Sequence, residues 1–224
     1  MKAYIVAAWL CFLHGTVAWA DKLVPVEQFV QQAFPHGVPI IEARKYGLAD
    51  SARLLGLLKL QDNLEVHSNI LETIGHIGDP VATRRVIDYI HRGQGEISAA
   101  AFRAKSNAFL CLGYMVNKTG NPVALNYLVN SLELETWQAR KLQWRVAFLP
   151  DDVSRDLQLI RQAAIGLTLS GHPQAASAMK QRLSPSNDDN DFAAASSDML
   201  QQMLRANQAI SSQGLQAYML DAQE

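Results

Sequence analysis

The chain has 224 residues, of which 49% are hydrophobic and 18% charged, with a formal net charge of −1. That composition is enough for a sizeable globular core. It lacks the basic excess with which strong nucleic-acid binders neutralise phosphates, so no nucleic-acid partner is expected.

The first twenty residues, "MKAYIVAAWLCFLHGTVAWA", carry a lone Lys2, an apolar run from Ala3 to Leu13, and small residues at Ala18 and Ala20. This is the pattern of a signal peptide cut before Asp21. The apolar run is shorter than the roughly 20 residues of a comfortable membrane span. An uncleaved anchor is the alternative, because residues 3–20 hold no formal charge. Leu10 before Cys11 does not suit a lipoprotein cysteine. Cleavage leaves Cys111 as the single cysteine, so no internal disulfide can brace the fold. The mature chain is expected to be soluble, periplasmic or secreted, with no stable membrane insertion.

Residues 21–63 hold three short amphipathic stretches, "PVEQFVQQAF", "IIEARKYG" and "DSARLLGLLKL", separated by "PHGVP" and by Leu48-Ala49. They predict N-terminal capping helices. Beyond them a turn recurs: Gly78-Asp79-Pro80, Gly120-Asn121-Pro122 and Gly171-His172-Pro173. Glycine ends one helix at φ > 0, Asp or Asn caps the next, and proline fits its first turn. His172 is the poorer cap.

After each proline, Ala82, Ala124 and Ala175 stand two residues on, and Val86, Leu128 and Met179 six residues on. Ile90, Leu132 and Leu183 follow at ten, so steps of four place all of them on one helical face. Upstream, Gly75, Gly113 and Gly166 recur, each after Ile or Leu, and Ser68-Asn69 is repeated as Ser106-Asn107. Each unit thus predicts helix A, a turn, and helix B.

These residues resemble the HEAT-like repeats of phycobilisome-lyase type over Leu64 to Leu183. The third copy is the weakest, with Arg161 and Gln162 where the others have Ile70-Leu71 and Ala108-Phe109. The resemblance implies an all-α superhelix, an α-solenoid of helix pairs spanning 64–183 with helical caps. It also implies a surface that binds other proteins, with the B helices on its concave side. Their polar sides would form a ladder of Arg84, Arg85 and Asp88, then Asn126, Tyr127 and Asn130, then Ser177 and Gln181; His91 and Arg92 extend its basic end.

Between the second and third units lies "ETWQARKLQWRVAFLPDD". On a continuous helix Trp137, Arg140, Lys141 and Trp144 would share one face, with Arg145 beside it. Trp and Arg are the types most enriched at binding hot spots. The competing reading packs both indoles against the neighbouring repeats. After Leu183, residues 184–195 form an acidic polar linker. Residues 196–224 predict a helix, with Leu200, Met203, Leu204 and Ile210 near helical spacing and a break at Gly214. It is either a cap over the last repeat or a tail that binds a partner.

Catalytic patterns are poor: Gly-x-Ser-x-Gly, His-Glu-x-x-His and Cys-x-x-Cys do not occur. No metal or cofactor is expected, and Cys111, between Leu110 and Leu112, predicts a buried inert thiol. Asn117-Lys118-Thr119 matches the glycosylation pattern in the longer turn before Gly120, relevant only in a eukaryote; the short n-region looks bacterial. The function expected is an exported scaffold or adaptor for another envelope or secreted protein. A subunit of a secretion or surface-organelle assembly and a lyase-like enzyme accessory are the alternatives.

Overall fold

The computed structural model describes residues 23–60, 64–182 and 197–221. The proposed signal peptide, its cleavage site before Asp21, Leu183 and the 184–195 linker lie outside the described residues. Among the described residues are twelve helices and one pair of three-residue strands. None of the helices is long and apolar enough to cross a membrane.

The long helices α4 (Leu64–Ile77), α6 (Ala99–Thr119), α9 (Asp152–Ser170) and α11 (Ser197–Gln213) pack side by side in chain order. Shorter helices α5 (Ala82–His91), α7 (Pro122–Asn130) and α10 (Pro173–Arg182) form a second layer against them. The N-terminal segment supplies two single turns, α1 (Val26–Phe29) and α2 (Ile40–Ala43), and α3 (Leu48–Leu57), which starts at Leu48 rather than after Ala49. Helix α3 packs beside α5 as a further member of the second layer. Measured from Leu48, its buried Leu54 and Leu58 stand where Val86 and Ile90 stand measured from Pro80.

The recurring turns do what their residues dictate. Gly78, Gly120 and Gly171 take φ of 73°, 64° and 59°. Asp79 Oδ1 accepts from Val81 N at 2.9 Å, and Asn121 Oδ1 from Val123 N and Ala124 N at 3.0 Å. His172 also serves as a cap, its Nδ1 accepting from Gln174 N at 3.2 Å. Two of these residues also tie neighbouring units together: Ser51 Oγ donates to Asp79 Oδ2 at 2.8 Å, and Asn121 Nδ2 donates to Thr83 Oγ1 at 2.7 Å. The Ser-Asn repeat has a similar use. Asn69 donates to Val30 O and Gln32 O, and Asn107 to Glu72 Oε1.

Ala82, Ala124, Ala175, Val86, Leu128, Met179 and Ile90 are fully buried, and Leu132 nearly so. In the third unit Leu159, Ile160, Ala163 and Ala164 take the buried positions, and Arg161 turns outward. The upstream glycines are where the long helices cross. A Cβ on Gly75 would sit 2.9 Å from Cys111 Cα and Cys111 O. One on Gly113 would overlap Gly166 O, and one on Gly166 would lie 2.5 Å from Phe109 O. These are backbone-to-backbone contacts, closer than the usual 8–10 Å between helix axes allows for any side chain.

Two local expectations are corrected. Asn117–Thr119 does not lie in a turn but in the last turn of α6, where Asn117 Nδ2 donates to Ser170 O at 3.2 Å. The stretch from Trp137 to Trp144 is not one helix. Helix α8 (Leu134–Arg140) stops at Lys141, whose φ is 50°, and β2 (Trp144–Val146) then pairs in parallel with β1 (Gly95–Ile97).

At the C-terminal end α11 covers α9 and α10, as a cap would. Asn207 Nδ2 donates to Leu167 O at 2.9 Å, and Leu200 and Ile210 are buried while Met203 and Leu204 are partly so. Gly214 breaks the chain into α12 (Leu215–Asp221).

The crossings give a direct test. Gly113→Ala and Gly166→Ala should each lower unfolding free energy by about 3 kcal/mol, the upper range for overpacking. Gly56→Ala, in α3 with open space around the added methyl, should raise it by about 0.5–1 kcal/mol. Urea unfolding of the three variants checks this.

Candidate protein-binding surface

The two indoles of the inserted segment belong to the core. Trp137 is 0% and Trp144 1% exposed, which agrees with the reading that packs both indoles inside and leaves neither as an exposed binding anchor. Trp137 Nε1 donates to Ser131 O at 2.9 Å, and Trp144 Nε1 to Ile90 O at 3.2 Å. A helix carried on past Arg140 would have kept them on one face; the turn at Lys141 and the strand pairing send them to separate places.

Arg140 lies over the Trp137 ring at 4.2 Å and the Tyr127 ring at 4.6 Å, and donates to Ser131 Oγ. His91 stacks on Trp137, and its Nε2 lies 2.9 Å from Tyr127 Oη. The structure therefore brings Trp137, Arg140 and Tyr127 together, with His91, as an internal stack. Lys141 and Arg145 stay exposed, and Arg145 pairs with Glu96 at 3.4 Å across the strands.

Arg84, Arg85, Asp88, Asn126, Asn130, Ser177 and Gln181 are all exposed. Their helices bury the opposite positions, so these polar side chains all face outward. Tyr127 is the exception in the ladder, because it is half-buried beneath Arg140.

The surface is not flat. Between α3 and α5 runs a hollow of about 390 Å³ lined by Leu55, Lys59, Arg85, Asp88, Tyr89 and Arg92. It shares Lys59, Tyr89 and Arg92 with a second hollow of about 690 Å³, which continues past His67 and Lys105 to the start of α6. The charged groups lining the two are Lys59, Arg85, Arg92 and Lys105 against Asp88 and Glu96, and Glu96 is turned toward Arg145. The pair forms one open basic cleft.

Its floor is rigid. Lys105, 5% exposed, donates to Tyr89 O, Ile90 O and Arg92 O at 2.6–3.0 Å, satisfying the last carbonyls of α5. Its ammonium lies 4.8 Å from the Trp144 ring centroid, and Arg155 flanks the same indole at 5.5 Å. Burial, and then the Arg92 charge, draws the Lys105 pKa down to about 7. The three carbonyls and the helix C-terminus favour its protonated form. Arg92 lies over Tyr89 at 4.2 Å and donates to Leu58 O. Tyr89 Oη lies 2.8 Å from His67 Nδ1, whose pKa burial lowers.

Lys59, Tyr89 and Lys105 are cleft residues that sequence reasoning did not single out, and His67 was weighed there only as a poor metal ligand. Lys105 left a signal: it stands one residue after Ala104 and three before Ala108, on the buried face of α6. Cys111 is buried with its thiol pKa raised by desolvation. Among the described residues no group of three or more His, Cys, Asp or Glu side chains could hold a metal ion.

The chain matches no protein-family model, no curated protein and no solved structure.

His91 makes stability pH-dependent. Burial, then Arg140 and Lys105, lower its pKa from 6.5 to about 4, against a weaker opposing pull from Asp88. Between those values the unfolded chain binds the proton and the folded one does not, so stability falls as pH drops from 6.5 toward 4. Screening at this half-buried ring reduces the effect to about 1–2 kcal/mol by pH 4.5. His91→Phe should remove that part of the slope when urea unfolding is compared at pH 7 and 4.5.

Proposed function

We propose that the chain is an exported, HEAT-like solenoid that serves as a non-catalytic binding scaffold for another envelope or secreted protein. In this reading α2–α3, α4–α5, α6–α7 and α9–α10 are successive helix pairs, α11 covers the last, and the second layer is the binding side. The observation that carries it is the basic cleft between α3 and α5. It is long, open and continuous with an exposed polar ladder, and its charged rim stands on a floor fixed by Lys105 and Trp144.

Such a cleft suits an acidic segment of the partner. Lys59 and Arg85 are exposed and steer it, and Arg92 and Tyr89 provide a stacked, pre-ordered platform at the centre. Charged rims of this kind mainly set association rate and salt dependence, while the buried centre sets residence time. Trp137 and Trp144 act from beneath, by holding the surface in shape.

Affinity capture from the native envelope with quantitative mass spectrometry tests the reading. The double variant Lys59→Glu, Arg85→Glu should melt within about 0.5 kcal/mol of the wild type, as expected for surface changes. It should lose at least tenfold of the partner captured at low salt. Equal capture by both proteins would contradict the proposed surface.

A further inference from the structure

After His91 the chain enters the short sheet through Gly93 and Gly95, whose φ of 116° and 67° suit glycine. Strand β1 pairs in parallel with β2, Gly95 opposite Trp144 and Ile97 opposite Val146. Gly95 N donates to Gln143 O at 2.9 Å. In such a ladder alternate residues of a strand turn their N–H and C=O to the same neighbour. Gly95 and Ile97 therefore face β2, and the N–H and C=O of Glu96 face the other way.

The two outer edges of this sheet differ. On the β2 side, Trp144 O is taken up by Arg155 of α9, whose Nη1 donates to it at 2.7 Å. On the β1 side, Glu96 N and Glu96 O meet no partner among the described residues, and Gln94, Gly95 and Glu96 are exposed. That edge opens on the larger hollow of the basic cleft, where Gln94, Glu96 and Ser98 belong to the lining. Lys59 and Arg92 line the same hollow and are exposed, with Lys105 buried at its floor. The Glu96 carboxylate would oppose an acid there, but it stands on the face of the sheet, 3.4 Å from Arg145 of the neighbouring strand. An open edge is a template for one more strand. Three residues are a short template, so charge must do part of the selecting.

We propose that an extended acidic segment of the partner adds to β1 as a third strand. Its backbone accepts from Glu96 N–H and donates to Glu96 O, and its carboxylates meet Lys59 and Arg92. The proposal rests on the basic cleft being the binding side, and adds the conformation of the bound segment and the backbone groups that hold it. Main-chain bonds supply affinity in this mode and alternate side chains supply specificity, so every second residue of the segment carries the acid.

NMR titration of the full chain tests this with acetyl-Asp-Val-Asp-Val-Asp-Val-amide as the probe. Controls are its lysine-for-aspartate analogue, tripolyphosphate, and two N-methylated forms, one methylated at the three aspartates and one at the three valines. The parent peptide should shift the Glu96 amide and slow its exchange. One methylated form should bind at least tenfold more weakly and the other within about threefold of the parent, because only one set of N–H groups faces β1. The lysine analogue should also lose at least tenfold. Glu96→Ala keeps the backbone donor and should bind within about threefold of wild type, whereas Glu96→Pro removes it and should lose at least tenfold. The methylated pair keeps the test open if Glu96→Pro fails to fold. Equal binding of the two methylated forms, slowed exchange at Glu96 with tripolyphosphate, or no peptide binding at about 5 mM would overturn the proposal. Partner capture lost in Lys59→Glu, Arg85→Glu but kept in folded Glu96→Pro would overturn the added strand and leave the cleft. Capture unchanged in both would overturn the cleft as well.

Discussion

Helix α6 meets α4 on one side and α9 on the other with no side chain between the backbones. Gly75 lies against Cys111, and Gly113 and Gly166 lie against each other's helices. Contact this close fixes two things at once. It sets the crossing of three long helices, because any Cβ at these points must push them apart, and it fixes their rotation, because the glycine face must point inward. Dispersion over such close surfaces is large in sum, and a small radial gap forfeits much of it. The shorter helices α5 and α7 then pack against α6, with Leu128 of α7 reaching the crossing at Gly166.

From that rotation the second layer follows. The alanines at Ala82, Ala124 and Ala175 let the shorter helices sit low on the long ones, which turns Arg84, Arg85, Asn126 and Ser177 outward. Bonds from Ser51 to Asp79 and from Asn121 to Thr83 keep neighbouring pairs in register. The cleft exists because α3 lies beside α5 at that spacing, and because Lys105 reaches from α6 to close the end of α5. Fold and candidate surface thus share one cause.

Much of this was legible in short-range pattern. Gly-x-Pro turns announce a helix end and a helix start through backbone chemistry that needs no tertiary partner, and steps of four residues name the buried face. The inserted segment was not legible. Its helical spacing from Trp137 to Trp144 is genuine, but pairing of β2 with β1, some fifty residues away in sequence, ends the helix and buries the second indole. The membership of α3 in the second layer was hidden because Gly47-Leu48 replaces the proline turn. Lys105 stood in plain view on a buried face, yet only the fold says which carbonyls it caps.

Amide hydrogen exchange tests the central claim most directly. If the glycine crossings hold the molecule together, amides of α6 from Ala108 to Met115 exchange only through global unfolding and show the full unfolding free energy. Those of α11 and α12 then exchange earlier, through local opening that leaves α4, α6 and α9 joined. Exchange in α6 as fast as in the terminal helices would contradict the account, for the crossings would then not be the most stable part of the fold.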